Sequence, residues 1–322
     1  MADDPFPFLD LPILVVVKTL RTMGFIDLYI LSQISPLMKS LIKRDVKKKD
    51  YKIAVDIRKD GEFDFNFLKD GWPLETLISE PLEYQEIYEW DISGVYRVAW
   101  HDSFNGAKIM YKEIADVFAV PVDSVKIHLP SIQENYKPVT RWLKKIAPKI
   151  SKAEIMGKPR SDFLAYTWTM EQLRPSKELK MLAEPRDYHE KGTLKLNAEK
   201  VVIDHGRWVS VHNLVEIKSS DIRIQRSSIP TQNIIWLLHR LRRRGAMPNL
   251  KYLSIEFEQW LLPDCEAIFN SLGLVLAEDE PEGEFQLKNG DNCWIGCVVV
   301  RRAEVIRFTG FELKIGRGEE QN

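Results

Sequence analysis

Cysteine is scarce in this chain, and what there is of it does not pair off. Cys265, Cys293 and Cys297 are three among 322 residues, an odd and sparse set that does not suit the disulfide framework of a secreted protein. A reducing compartment, cytoplasmic or nuclear, is therefore expected. The apolar run from Leu11 to Val17 is far short of the roughly 20 residues that cross a bilayer. The opening Met1-Ala2-Asp3-Asp4 is acidic where a signal peptide is basic, so no membrane partner is expected. Charge of one sign is missing too. Lys plus Arg number 46 against 47 Asp plus Glu, which gives no global field for nucleic acid, and none is expected as a partner.

Catalytic signatures are also absent. The sequence holds no Gly-x-x-x-x-Gly-Lys phosphate loop, no Gly-x-Gly-x-x-Gly, no Gly-x-Ser-x-Gly elbow and no His-Glu-x-x-His. Cys293 and Cys297 lie four apart in an apolar stretch without a second pair of ligands, which reads as structural cysteine rather than zinc. His205 follows Asp204, a base beside an orienting carboxylate, but no nucleophile accompanies them. Arg240, Arg242, Arg243 and Arg244 precede Gly245, as cations do at a helix C-terminus closed by glycine. Lys47, Lys48 and Lys49 read as a solvated face. No catalytic residue, metal or cofactor is assigned.

What is present is a normal core-forming composition, 44% hydrophobic, arranged in three stretches. From about residue 6 to 44 the pattern is three short helices. Pro12 opens the first, and Ile13, Val16, Val17 and Leu20 recur at helical spacing until Gly24. The β-branched Val15, Val16 and Val17 cost a few tenths of a kcal/mol each in a helix, too little to override that period. Leu28, Ile30 and Leu31 mark a second helix. Ser35 as cap and Pro36 at the first position open a third, with Met38, Leu41 and Ile42 on one face. Strand alternation follows over Tyr51 to Ile57, then an Asp60-Gly61 turn, Phe63 to Phe65, and a further strand from Gly94 to Trp100.

Thereafter strands alternate with helices. Strands are expected at Val125–Leu129, Ala153–Ile155, Leu194–Leu196, Val201–Ile203, Ile222–Ile224 and Leu253–Ile255. Helices are expected over Val139 to Ile146, around Leu214, and through Ile234, Leu238 and Leu241. The pattern suggests degenerate α/β repeats of roughly leucine-rich-repeat length, each burying its face on its neighbours, or, since no strict leucine-asparagine consensus is present, an open α/β sheet with irregular repeats. Strands return from Glu284, with an Asn289-Gly290 turn. The fold class is thus α+β to α/β, divided as 1–45, 46–110 (a β-rich linker segment) and 111–322.

About forty N-terminal residues cannot bury all of their apolar side chains among themselves, so some must face something else, either the rest of this chain or a partner protein. Phe6-Pro7-Phe8-Leu9-Asp10-Leu11-Pro12, Val15, Val16, Leu20, Met23, Asp27-Leu28, Leu31-Ser32, Ser35, Lys39 and Leu41-Ile42 resemble the F-box pattern, most closely that of nematode F-box proteins. Phe25 departs from it, standing where the nematode pattern usually has proline. The later stretch resembles the type 2 F-box-associated domain through Trp208-Val209-Ser210-Val211, Asp221-Ile222-Arg223-Ile224 and Asn249 to Ile255. The resemblance implies a non-catalytic receptor subunit of a Skp–cullin–F-box ubiquitin ligase. Its partners would be a Skp adaptor, through that a cullin, and an unidentified protein substrate marked for degradation. Leu11, Pro12, Val15, Val16, Leu20, Leu28 and Leu31 would be the adaptor contacts. The alternative is a scaffold that binds or sequesters a partner without degradation.

Overall fold

The structure, a computed structural model, describes residues 10–46, 48, 50–82, 94–157, 163–184, 196–241, 243, 247–257, 264–273, 282–288, 293–301 and 308–317. The chain forms two compact units, one comprising residues 1–132 and 145–148, the other residues 133–144 and 149–322.

The first unit opens with helices α1 (Ile13–Thr22), α2 (Phe25–Ile34) and α3 (Pro36–Asp45). Strands β1 (Tyr51–Ile57), β2 (Phe63–Lys69), β3 (Trp72–Pro81) and β4 (Val95–Trp100) follow, then helix α4 (Ser103–Phe118) and strand β5 (Val122–His128). β1, β2 and β3 pair antiparallel, while β4 joins β3 and β5 joins β1 in parallel. The expected Asp60-Gly61 turn connects β1 to β2, with Gly61 at φ +84°. A second Asp-Gly turn connects β2 to β3: Lys69 faces Trp72 across Asp70 (φ +53°) and Gly71 (φ +85°), the two left-handed residues of a type I′ hairpin. One face of this layer is aromatic and aliphatic. Ile53, Val55 and Ile57, Phe63, Phe65 and Phe67, and Leu77 are buried. The side of α4 that carries Ala107, Met110, Ile114 and Val117 is buried as well. Asp102 caps α4 by accepting from the Asn105 amide at 3.0 Å.

The second unit begins with α5 (Tyr136–Ile146, all but its last two residues), β6 (Lys152–Met156) and α6 (Phe163–Leu173). It continues through β7 (Glu178–Met181), β8 (Lys200–Ile203), α7 (Val211–Glu216), β9 (Asp221–Ser227), α8 (Thr231–Leu241), β10 (Tyr252–Phe257) and α9 (Cys265–Leu272). Strands β6 to β10 lie side by side in chain order and parallel, starting 21 to 31 residues apart. That ladder is the α/β repeat the sequence suggests: each strand buries its alternate residues and needs the next unit to cover them. The strands β11 (Glu282–Lys288), β12 (Cys293–Arg301) and β13 (Phe308–Arg317) close the sheet antiparallel, β13 pairing with β10. The fold is therefore α+β to α/β, with three helices first, a strand layer next and a repeat-like α/β region ending in strands. Leu194 and Lys195 of the expected strand lie outside the described residues, as do Asn289 and Gly290.

Only one face of the parallel ladder is apolar, formed by Ile155, Leu179, Met181, Val201, Ile203, Ile222, Ile224, Leu253 and Ile255, all buried. The other face is charged, and its first cross-strand row reads Lys152, Glu178, Lys200, Asp221, Tyr252. Opposite charges alternate along it. Lys200 sits 3.1 Å from Glu178, Arg223 3.0 Å from Asp221, and the Arg223 guanidinium lies 4.9 Å from the Tyr252 ring centre.

Candidate functional site

The three N-terminal helices divide their apolar side chains between two environments. Val16 and Leu20 of α1, Phe25, Ile26 and Leu28 of α2, and Met38, Leu41 and Ile42 of α3 are buried. They form the core that so short a helical segment needs. On the outside, Ile13, Leu14 and Val15 are 54%, 80% and 45% exposed at the start of α1, and Ile34 and Leu37 are 72% and 55% exposed around the α2–α3 turn. A concentration of exposed aliphatics on one small segment marks an interaction surface.

The local sequence sets this arrangement. The Pro12 carbonyl accepts the Val15 and Val16 amides at 2.8 and 3.2 Å, so α1 starts directly after the proline, which lacks an amide to satisfy. Ser35 caps α3 through the Met38 amide, with Pro36 in the first turn. Helix α2 has no side-chain cap of its own. Instead Glu75, on β3, accepts the Ile26 amide at 2.7 Å and places a carboxylate at the positive end of the helix. Gly24 makes room for it: a Cβ there would stand 2.0 Å from Glu75 Oε1.

Phe25 explains itself structurally. Its ring stacks on Phe67 with centroids 4.4 Å apart and meets Tyr51 and Phe118 edge-on at 4.7 and 5.0 Å. The position where the nematode pattern usually has proline thus holds an aromatic that fastens α2 to the strand layer and α4. Lys48 crosses the same cluster, its ammonium 5.1 Å from the Phe25 ring centre, and burial pulls its pKa down. On the other side, Lys39 of α3 pairs with Glu113 and Asp116 of α4, and Lys43 with Asp116. These pairs hold the Lys39 pKa up and the Asp116 pKa down. Among the described residues, the helices and the strand layer share one packed core.

Of the seven expected contacts, Pro12 and Val15 are exposed, Leu11 and Leu31 are half-buried, and Val16, Leu20 and Leu28 are buried at 2%, 0% and 0% exposure. The structure brings Leu11, Pro12 and Val15 together at the start of α1 and puts Val16, Leu20 and Leu28 inside. Ile13 and Leu14 were not in the expected set, although they belong to the same apolar run. The signal was available: a run of seven apolar residues in a helix cannot face one way.

The other residues that drew attention in the sequence are placed as follows. His205 Nε2 lies 3.4 Å from Asp204 Oδ2, and Arg226 Nη1 lies 3.1 Å from His205 Nδ1, so its polar neighbours are a carboxylate and a guanidinium rather than a serine or cysteine. Arg240 lies in the last turn of α8 with its guanidinium 5.3 Å from the Trp236 ring centre; Arg242, Arg244 and Gly245 lie outside the described residues. Cys293 and Cys297 fall on β12. No helix among the described residues is long and apolar enough to cross a membrane.

Comparison with known proteins agrees with the geometry. The F-box domain model matches residues 8–50, the segment that forms α1 to α3. The chain is also similar to a Caenorhabditis elegans protein, the Skn-1 dependent zygotic transcript 15 protein, at 23% identity over 93% of this chain and 92% of that one. No solved structure matches. An F-box is a module that binds a Skp adaptor; the chain carries one at its N-terminus and is similar over most of its length to a nematode protein.

Proposed function

We propose that this chain is the substrate-recognition subunit of a Skp–cullin–F-box ubiquitin ligase, holding a Skp adaptor on the exposed side of α1 to α3 and a protein target on the second unit. The observation that carries the reading is the exposed group Ile13, Leu14 and Val15 directly after Pro12, on helices whose opposite side is a filled core. Leu11, Pro12, Val15 and Leu31 would touch the adaptor together with Ile13 and Leu14. Val16, Leu20 and Leu28 would act by fixing the helices that present them.

In this mechanism the chain supplies proximity. The adaptor joins a cullin, the cullin brings a charged ubiquitin-conjugating enzyme, and a target held on the second unit sees ubiquitin at high effective concentration. No side chain of this subunit takes part in the transfer. Co-expression tests the adaptor half: with a Skp adaptor the chain should be recovered as a soluble one-to-one complex, and without it the exposed aliphatics should drive self-association. A chain that is monomeric alone and does not retain the adaptor on size exclusion would refute the reading.

A further inference from the structure

Helix α5 gathers cations on one element without acids among them. Several other cations are paired: Lys52 with Asp123, Arg58 with Glu62 and Asp64, Arg97 with Glu62 and Glu80, Lys200 with Glu178, Arg223 with Asp221. The sequence Tyr-Lys-Pro-Val-Thr-Arg-Trp-Leu-Lys-Lys-Ile of α5 carries four cations and no carboxylate. Lys137, Arg141 and Lys144 are all exposed, and none has an ion-pair partner among the described residues. Spaced by four and three, they form one ridge of the helix.

The inner side of α5 fixes that ridge in place. Val139, Thr140 and Leu143 are buried, and Thr140 Oγ1 lies 3.5 Å from Thr169 Oγ1 of α6. The cations are also held. The Lys137 ammonium and the Arg141 guanidinium lie 5.8 and 5.7 Å from the centre of the Trp168 ring on α6, and Lys144 donates to Gln172 Oε1 at 3.0 Å. A solvated lysine face is ordinarily mobile and interspersed with acids. Here three cations are ordered against α6 without a counter-charge, which reduces the entropy lost when an anionic partner docks.

We infer that the α5–α6 ridge of Lys137, Arg141 and Lys144 over Trp168 is a docking surface for an acidic, carboxylate-rich segment of the protein target. This inference rests on the receptor reading given above and names the chemistry of the target it would hold. Charge complementarity decides the occupant: an extended run of aspartates and glutamates offers carboxylates at the spacing of successive helical turns. Lysine and arginine can both answer them, and the half-buried Trp168 ring supplies apolar contact to their methylenes.

The test uses the full chain in complex with its adaptor and a fluorescein-labelled twelve-residue probe of alternating Glu-Asp and Gly-Ser pairs, read by anisotropy. A same-length Gly-Ser peptide and a single-stranded RNA oligonucleotide run beside it. The expected result is binding of the acidic peptide that weakens with salt and falls by about tenfold or more in K137E/R141E, as loss of several charge contacts predicts, while the adaptor stays bound. K137Q/R141Q should give a smaller loss, and its melting curve, like that of the charge-reversed form, should match wild type. If K137E/R141E fails to fold, the glutamine form and the salt dependence of wild type decide alone. No acidic-peptide binding above the Gly-Ser control, binding indifferent to both variants, or RNA bound more tightly at the same residues would each overturn the inference. Loss of the adaptor from wild type would instead count against the receptor reading, since peptide binding is read separately.

Discussion

Replacing Leu14 by aspartate should separate what α1 does for the adaptor from what it does for the fold. Leu14 is 80% exposed, whereas Val16, two residues on, is 2% exposed in the helical core. In the free chain an aspartate at position 14 points into water, so its effect on stability should stay within about 0.5 kcal/mol, the range of ordinary surface substitutions. Against an adaptor the same carboxylate would be buried without a partner, which costs on the order of several kcal/mol and so about a hundredfold or more in affinity. Val16→Asp places the carboxylate inside α1 to α3 themselves. It should lower folding stability by several kcal/mol before any partner is considered, and because this core continues through Phe25 into the strand layer, the damage should spread beyond the helices. The assay is a thermal melt of each variant paired with adaptor binding by biolayer interferometry. Leu14→Asp should show a wild-type melt and lost binding, and Val16→Asp a depressed melt. A Leu14→Asp protein that binds the adaptor as wild type does would refute the claim that the start of α1 is the contact face.

Two further outcomes follow from the first unit. Phe25→Ala should cost about 3–5 kcal/mol through loss of its packing with Tyr51, Phe67 and Phe118, read by chemical denaturation, and Phe25→Pro should cost a comparable amount even though proline suits a helix start. Asp64, with only 1% of its surface exposed and accepting from Arg58 Nε at 2.5 Å, has its pKa pushed up to about 6 by burial, with Arg58 opposing the shift. Its folded value lies above its unfolded value, so its contribution to stability is greatest below about pH 4 and declines as pH rises through about 6. Asp64→Asn should flatten that slope and raise stability at neutral pH by about 1–3 kcal/mol, measured by denaturation from pH 4 to 7.5.

The N-terminal helices were legible because their punctuation is local: Pro12, Gly24, and the Ser35-Pro36 pair all sit where they act. The strands Val201–Ile203, Ile222–Ile224 and Leu253–Ile255 were legible for a related reason, since short β-branched and leucine-bearing runs are buried on one face between helices. Strand β3 escaped because Trp72-Pro73-Leu74 puts a proline near its start, although Asp70-Gly71 before it is the strongest hairpin signal available. Helix α4 was hidden by Asn105 and Gly106 in its first turn, yet Ala107, Met110, Ile114 and Val117 hold helical spacing. Strand β7 is only four residues long. At the adaptor face, the pattern could name the apolar segment but not divide it. Which of Leu11 to Val17 faces inward depends on where Phe25, Leu41 and Ile42 pack, and those contacts come from other elements. The role of Phe25 was likewise invisible, because its neighbours Phe67 and Phe118 are 42 and 93 positions away.

The central claim is that one chain couples an adaptor to a target through separate surfaces, and affinity purification from cells expressing wild-type or Leu14→Asp protein, with the cullin inhibited, addresses it most directly. The account predicts that Leu14→Asp loses the Skp adaptor and the cullin but keeps the same set of co-purified targets. It also predicts that, once the inhibitor is removed, those targets carry more ubiquitin and turn over faster with wild type than with the variant. Retention of the cullin by Leu14→Asp, or target ubiquitin and turnover that do not differ between the two proteins, would contradict it.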